Sequence, residues 1–295
     1  MPYAIGIDLG GTNIKSVVVS PEGETFSKSE VTFDPAVLMD WGQKIRGIVQ
    51  KVEAEHGEAA AIGLSAPGLA ARDGSAIVRM PERLQGLEGL NWQQYLGFAR
   101  PVPILNDAHS ALLGEAWLGA ARGFKDVFML TLGTGVGGAA LVDGRLLCGH
   151  IGRGGHLGHI CLDPGAPPGI TGMPGSLEDT IGNCTVWART NGRFQFTRDL
   201  VEAHTAGDRE ASRIWLDSVR RLACAIASLI NVLDPEAAII GGGIARAGTA
   251  LFDPLQEWVR QFEWAPTGTH VKILPAQLGE FAGAYGAARN ALTKY

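Results

Sequence analysis

An apolar run, Val127 to Leu132, opens directly into Gly133-Thr134-Gly135-Val136-Gly137-Gly138. A loop of alternating glycines brings backbone N–H groups close to an anion, because no Cβ intervenes. Gly133, Gly135 and Gly138 formally match the dinucleotide fingerprint G-x-G-x-x-G, which needs a helix after the loop. Beyond Gly138 the chain instead runs Ala-Ala-Leu-Val, then Asp143-Gly144, then Arg-Leu-Leu, which reads as strand, hairpin turn, strand. The unit is a hairpin, and the Rossmann reading fails.

The beginning of the chain repeats the shape. Ala4 to Leu9 is an apolar strand interrupted by Asp8, Gly10-Gly11-Thr12 is the loop, and Ser16 to Val19 is the return strand. A displacement of 123 positions sets Gly10 on Gly133, Asp8 on Thr131, and Val17-Val18-Val19 on Ala140-Leu141-Val142. Two phosphate-type hairpins suggest a duplicated architecture with a polyphosphate gripped between its halves. The plainer alternative is a chance likeness between two glycine-rich β segments.

A chain of 295 residues has room for two domains, each with its own core. A hydrophobic share of 46% with 19% charged residues is that of a globular protein. The net charge of −5, without any Lys/Arg run, argues against a nucleic-acid partner. Any bound phosphate must therefore draw its positive field mostly from backbone amides and a metal ion. No apolar run approaches a membrane span, and MPYAIGIDLGG enters the first strand directly, so no signal peptide or membrane partner is expected. The four cysteines (Cys148, Cys161, Cys184, Cys224) form no C-x-x-C pair, consistent with free thiols in a cytoplasmic protein.

Periodicity predicts strands through residues 4–33, a helix from about Pro35 to Glu55, and a buried strand Ala60–Ser65 ending in Ala66-Pro67-Gly68. Gly74–Met80 reads as extended. Val102–Leu105 reads as a strand ending in Asn106-Asp107, with a helix over Ala108–Leu118. Ligands collect at such carboxyl-terminal strand edges. Gly149–Gly182 is glycine- and proline-rich with little pattern, and loops of that length are usually functional. The longest helix is expected over Asp208–Leu233, then a strand Ala237–Ile240 into Gly241-Gly242-Gly243, and a terminal helix over Gly279–Leu292.

Asp8, at a strand end beside a glycine loop, suits Mg2+ bridging to phosphate, or else caps the turn. Thr12 and Thr134 either offer hydroxyls to phosphate or bond their own loops. Lys15 reads equally as a phosphate contact or an exposed strand lysine. Asp107 is placed to take a proton from an attacking hydroxyl; the competing reading of an Asn-Asp pair before a helix is an N-cap. His150, His156 and His159, with Asp163 and Glu178 nearby, suit hydrogen bonding to a polyhydroxylated ligand better than metal binding.

The segments IGIDLGGTNIK, LSAPG, LNDAHSALLGE, LGTGVGG, GHLGH, GSLED and IIGGGIARAG follow one another as in the ROK family of bacterial sugar kinases, which this chain resembles from Ala4 to its terminal helix. The resemblance implies an α/β, two-domain actin/hexokinase/Hsp70-like (ribonuclease H-like) fold with a cleft between the domains. The smaller domain would hold residues 1–105 plus 280–295 and the larger one residues 106–279. It further implies transfer of the γ-phosphate of MgATP to a hexose hydroxyl, usually the 6-OH of an aldohexose. Asp8, Gly10, Gly11, Thr12, Asn13 and Lys15 would form the first phosphate element, with Asp8 holding Mg2+ through phosphate. Gly133, Thr134 and Gly135 would form the second, while Gly242 and Gly243 line the adenosine site. Asp107 would be the base, and Gly68, Arg83, Asn106, Asp107, His156, His159 and Glu178 would meet the sugar. A homodimer is also implied.

The departures are specific. The family's E-x-G-H reads His156-Leu157-Gly158-His159, exchanging a carboxylate for an imidazole. Its C-x-C-G-x-x-G-C zinc motif reads Gly169, Thr171, Gly172, Gly175 and Ser176, so zinc is not expected. Arg83 stands where many relatives carry a sugar-contacting Asn. The alternatives are an N-acetylglucosamine or N-acetylmannosamine kinase, a sugar sensor that has lost catalysis, and polyphosphate as donor.

Overall fold

The computed structural model describes residues 2–80, 83–169 and 171–294. Its chain divides into two compact units: the first runs to Gly123 and takes in Leu146–Gly155 and everything from Gln277 onward; the second holds Phe124–Arg145 and His156–Ala276.

In the first unit, β1 (Ala4–Leu9) pairs antiparallel with β2 (Asn13–Val19), and β2 with β3 (Thr25–Thr32). On its other edge β1 pairs in parallel with β4 (Ala61–Ala66), and β4 in turn, past the short pair β5 (Leu69–Ala70) and β6 (Ile77–Arg79), with β7 (Ile104–Asn106). The sheet order is β3-β2-β1-β4-β7. Alternation along β1 sends Ile5, Ile7 and Leu9 into a core with Trp41, Ile45 and Trp92. These last three come from α1 (Asp40–His56) and α2 (Trp92–Leu96). The opposite face of the sheet, through Ala4, Val17 and Ala61, meets the terminal helix, numbered α9 (Ala282–Lys294), at Ala284, Ala288 and Ala291. Glycine makes that approach close: neither Gly6 under α9 nor Gly286 beside Ser110 has room for a Cβ.

The boundary expected at residue 105 falls instead after Gly123. The helix α3 (Asp107–Leu118) packs on α9, with Ser110 Oγ donating to Gly283 O at 2.8 Å, which binds it to the first unit. Glu115, fully buried on α3, reinforces this grouping. Its carboxylate accepts the N–H groups of Ala120 (2.7 Å), Gln277 (2.9 Å) and Leu278 (2.8 Å). Glu115→Ala removes the shared acceptor of three partly buried donors and is expected to cost about 3 kcal/mol. The check is a lower denaturant midpoint at constant slope; an unchanged midpoint contradicts it.

The second unit repeats the plan. β8 (Val127–Leu132) pairs antiparallel with β9 (Val136–Val142), and β10 (Arg145–Leu146) comes after the turn Asp143-Gly144, whose φ values of 51° and 71° fit a type I′ hairpin. β11 (Ala237–Gly241) lies parallel to β8, and β12 (Lys272–Pro275) parallel to β11, giving the order β10-β9-β8-β11-β12. Both units thus carry an antiparallel meander extended by two parallel strands. The correspondence slips by one residue in the return strand: Gly6 faces Val17, but Met129 faces Ala139, because the second loop closes sooner. Val17–Val19 therefore correspond to Ala139–Leu141 rather than to Ala140–Val142.

The remaining helices of this unit are α4 (Leu177–Ile181), α5 (Val186–Arg189), α6 (Thr197–Thr205), α7 (Arg209–Leu233) and α8 (Thr249–Phe262). The expected stripe on α7 is buried at Val219, Leu222, Ala223, Ile226, Leu229 and Ile230. Two sequence expectations shift. Residues 35–39 are turns rather than helix, since Asp34 accepts from Ala36 N–H and Asp40 caps Asp34 N–H (both 2.9 Å), deferring α1 to Asp40. The stretch 149–182, read as nearly patternless, contains a 3-10 turn (Leu157–His159) and α4. Among the described residues no helix is long and apolar enough to cross a membrane.

Candidate active site

The first unit gathers two carboxylates and a glycine loop. Asp8 sits near the end of β1, where Ser65 Oγ of β4 donates to its Oδ1 at 2.6 Å. Burial raises the Asp8 pKa to about 6; the Ser65 bond opposes the shift, Asp107 adds to it, and Lys15 offsets part of it. At pH 7 the group is mostly ionised, and its donor chemistry fits a hard cation held against phosphate. The adjoining loop closes through Gly10 N–H to Asn13 O (2.9 Å) and Phe33 N–H to Thr12 O (3.0 Å). Thr12 stays exposed.

Two residues of this element face elsewhere. Lys15 Nζ lies 3.3 Å from Glu280 and 3.8 Å from Glu30, and Asn13 Nδ2 donates to Glu30 at 2.7 Å. Arg83 stands over the loop itself: a Cβ on Gly11 would meet its guanidinium at 2.6 Å.

The Asn-Asp pair divides its tasks. Asn106 is the N-cap of α3, accepting from Ala108 N–H (3.0 Å) and His109 N–H (3.4 Å) while its amide donates to Gly68 O (2.9 Å). Asp107 is the first residue of the helix, its Oδ1 accepting Ala108 N–H (2.8 Å). Solvent reaches Asp107, yet loss of hydration holds its pKa above the usual carboxylate range, against the pull of the Ala108 amide, Asn106 and Arg83.

The second unit presents the other glycine loop. Gly133 O accepts from Asn183 N–H (3.0 Å) and Thr134 O from Cys184 N–H (2.8 Å), leaving Thr134 itself exposed. Glu178 of α4 braces the loop, its Oε2 taking Val136 N–H at 2.9 Å and filling the space a Cβ on Gly135 would need. His156 and His159 stack, ring centroids 6.3 Å apart and planes 8° from parallel. Burial and the neighbouring His159 lower the His156 pKa, favouring a neutral imidazole, and His159 Nδ1 is buried without a hydrogen-bond partner among the described residues. Asp163, placed with these histidines by sequence, is 3.7 Å from Arg221 instead.

A cavity of about 680 Å3 adjoins this loop, lined by Gly133, Thr134, Asn183, Phe196, Gly243 and Arg246. Its volume and mixed lining suit a nucleoside. Asn183, Phe196 and Arg246 were missed in the sequence, where only the glycines on either side signalled the cavity. The positions implied for zinc thiolates, Gly169, Thr171 and Ser176, leave one imidazole and no sulfur, which does not fit a structural zinc site.

A model of the ROK family matches residues 4–294. A glucokinase of Thermotoga maritima is 35% identical over 306 residues, covering 96% of this chain and 95% of its own. The ROK hexokinase of Thermus thermophilus superposes with a TM-score of 0.87 at 32% identity, covering 99% of this chain and 98% of that one. A ROK family glucokinase of Streptomyces griseus, in complex with glucose and AMPPNP, does so with a TM-score of 0.79 at 26% identity, covering 99% of each.

Proposed function

The chain belongs to the ROK family and has its two-domain actin-like sugar kinase fold, and from this premise we propose an ATP-dependent kinase acting on the 6-hydroxyl of glucose or a close relative. The observation that carries the reading is the pair Asp8 and Asp107, one beside the first glycine loop and the other at the start of α3, near enough that the charge of Asp107 raises the pKa of Asp8. One carboxylate serves the donor phosphate and the other the acceptor hydroxyl.

In this reading the Asp107 carboxylate removes the proton as the hydroxyl attacks the γ-phosphorus and the P–O bond to ADP breaks, ADP leaving with the bonding pair. Asn106 and Gly68, tied to each other, fix the α3 terminus that presents the carboxylate. Gly68, Arg83, Asn106, His156, His159 and Glu178 meet the sugar. The amides of Gly10–Thr12 and Gly133–Gly135 receive the phosphates, joined by Thr12 and Thr134, while Gly242 and Gly243 line the nucleoside cavity. Asp8 would hold Mg2+, which supplies charge neutralisation on the transferring group. Lys15 and Asn13 support the β2–β3 edge of the loop through Glu30.

ADP release from MgATP against a panel of hexoses and N-acetylhexosamines tests this. Glucose or a near epimer should be the best acceptor. A preference for an N-acetylhexosamine would move the assignment to an amino-sugar kinase, with His156 the first residue to examine. Sugar binding without ADP would leave a sensor, and turnover with polyphosphate alone would change the donor.

A further inference from the structure

The segment after His159 has lost the sulfur ligands the family resemblance implies, yet it is cross-linked. Asp179 Oδ2 accepts both the N–H (3.0 Å) and the hydroxyl (2.8 Å) of Ser176, and Asp179 N–H donates back to Ser176 Oγ (3.1 Å). Gly169 descends on the same carboxylate so closely that a Cβ there has no room. Around this point the segment is closed by its own backbone: Gly169 N–H to Met173 O (2.9 Å), Leu162 N–H to Gly175 O (2.8 Å) and Leu177 N–H to Ile160 O (2.8 Å). Gly169 and Ser176, two of the three implied ligand positions, therefore meet at one carboxylate. The preceding residue on α4 is Glu178, whose Oε2 braces the second glycine loop at Val136 N–H.

We propose that Asp179 takes over the cross-linking task of a structural metal, tying Gly169 and Ser176 to the start of α4 and so positioning Glu178 against the loop Gly133–Gly135. The physical exchange is direct. A thiolate site joins distant backbone through one ion, whereas here one carboxylate collects two donors and a glycine approach, and it stands at a helix N-terminus, where negative charge is favoured. Asp179 is a positioning residue, acting through Glu178.

The test combines metal analysis, amide exchange and kinetics on the full chain. The wild-type protein should contain far less than one zinc per chain, and a chelator applied without Mg2+ should leave its Tm unchanged. Asp179→Ala should speed exchange at Leu162, Asp163 and Leu177 about tenfold, the scale set by losing a cap. It should also raise the sugar KM about tenfold, through Glu178, and the ATP KM by a smaller factor, through the loop that Glu178 braces, while kcat changes little. Asp179→Asn keeps an oxygen acceptor for Ser176 and should recover most of both effects. Should Asp179→Ala fail to fold, Ser176→Ala replaces it with the same readouts. Stoichiometric zinc overturns the proposal, as does wild-type exchange in the alanine variant. The kinetic arm rests on the sugar-kinase reading, whereas the metal and exchange arms do not. Normal turnover with unchanged exchange removes the cross-link alone, and faster exchange in a chain inactive on every sugar removes the kinase reading alone.

Discussion

Asp107→Asn lowers kcat by about two to four orders of magnitude while sugar affinity stays within a few-fold; that is the expected result, on the scale of a lost general base. The substitution is conservative for the fold: the amide oxygen still accepts Ala108 N–H, and the α3 cap belongs to Asn106. What disappears is the proposed proton acceptor. The wild-type rate should fall on the acid side, because the raised pKa of Asp107 brings its protonation closer to neutrality. Steady-state kinetics with calorimetric sugar binding checks both parts. A variant within tenfold of wild-type kcat would place the base elsewhere, and a variant that no longer binds sugar would assign Asp107 to affinity.

Much of the fold was legible because hairpins and strand edges announce themselves locally. The two glycine loops, Asp143-Gly144 and the apolar stripe of α7 are short-range patterns, and the duplicated sheet order builds on the first two. Less legible was whatever depends on a partner far along the chain. Glu115 is one carboxylate in the apolar stretch Ala111–Leu118, and nothing local foretells amide donors at Gln277 and Leu278. Asn183, Phe196 and Arg246 line one cavity from three separate segments. The one-residue slip between the hairpins is decided by how each loop closes: Gly10 bonds to Asn13, but Gly133 to Gly135. At Asn106-Asp107 the N-cap reading holds for Asn106, and Asp107 follows it as the first residue of the helix. At Ser176 and Asp179 the serine and acid of a capping box are visible in the sequence, but the approach of Gly169 to the same carboxylate is a tertiary contact with no local signal.

Asp8→Asn should do two opposite things at pH 7: cut kcat by about a hundredfold or more, as loss of a transition-state charge stabiliser does, and make the protein more stable. The first effect follows from the role proposed for Asp8 in metal and phosphate handling, which an amide serves poorly. The second comes from the sign of the pKa shift. Asp8 is raised from 3.8 to about 6 on folding, so between those values the native state binds more protons than the unfolded chain. Stability therefore falls as pH rises through that window and stays reduced above it. A neutral amide that still accepts the Ser65 hydrogen bond escapes the penalty, by about 2–3 kcal/mol for two pK units. Wild type and variant should match near pH 4, diverge up to about pH 6, and run parallel beyond, in denaturant titrations across that range. Equal stability at pH 7.5 would show that Asp8 is hydrated well enough to carry its charge freely. Higher stability with intact turnover would separate the strained carboxylate from the chemistry. The expected pairing of gain and loss identifies Asp8 as a buried charge that the fold tolerates at a cost because the reaction requires it.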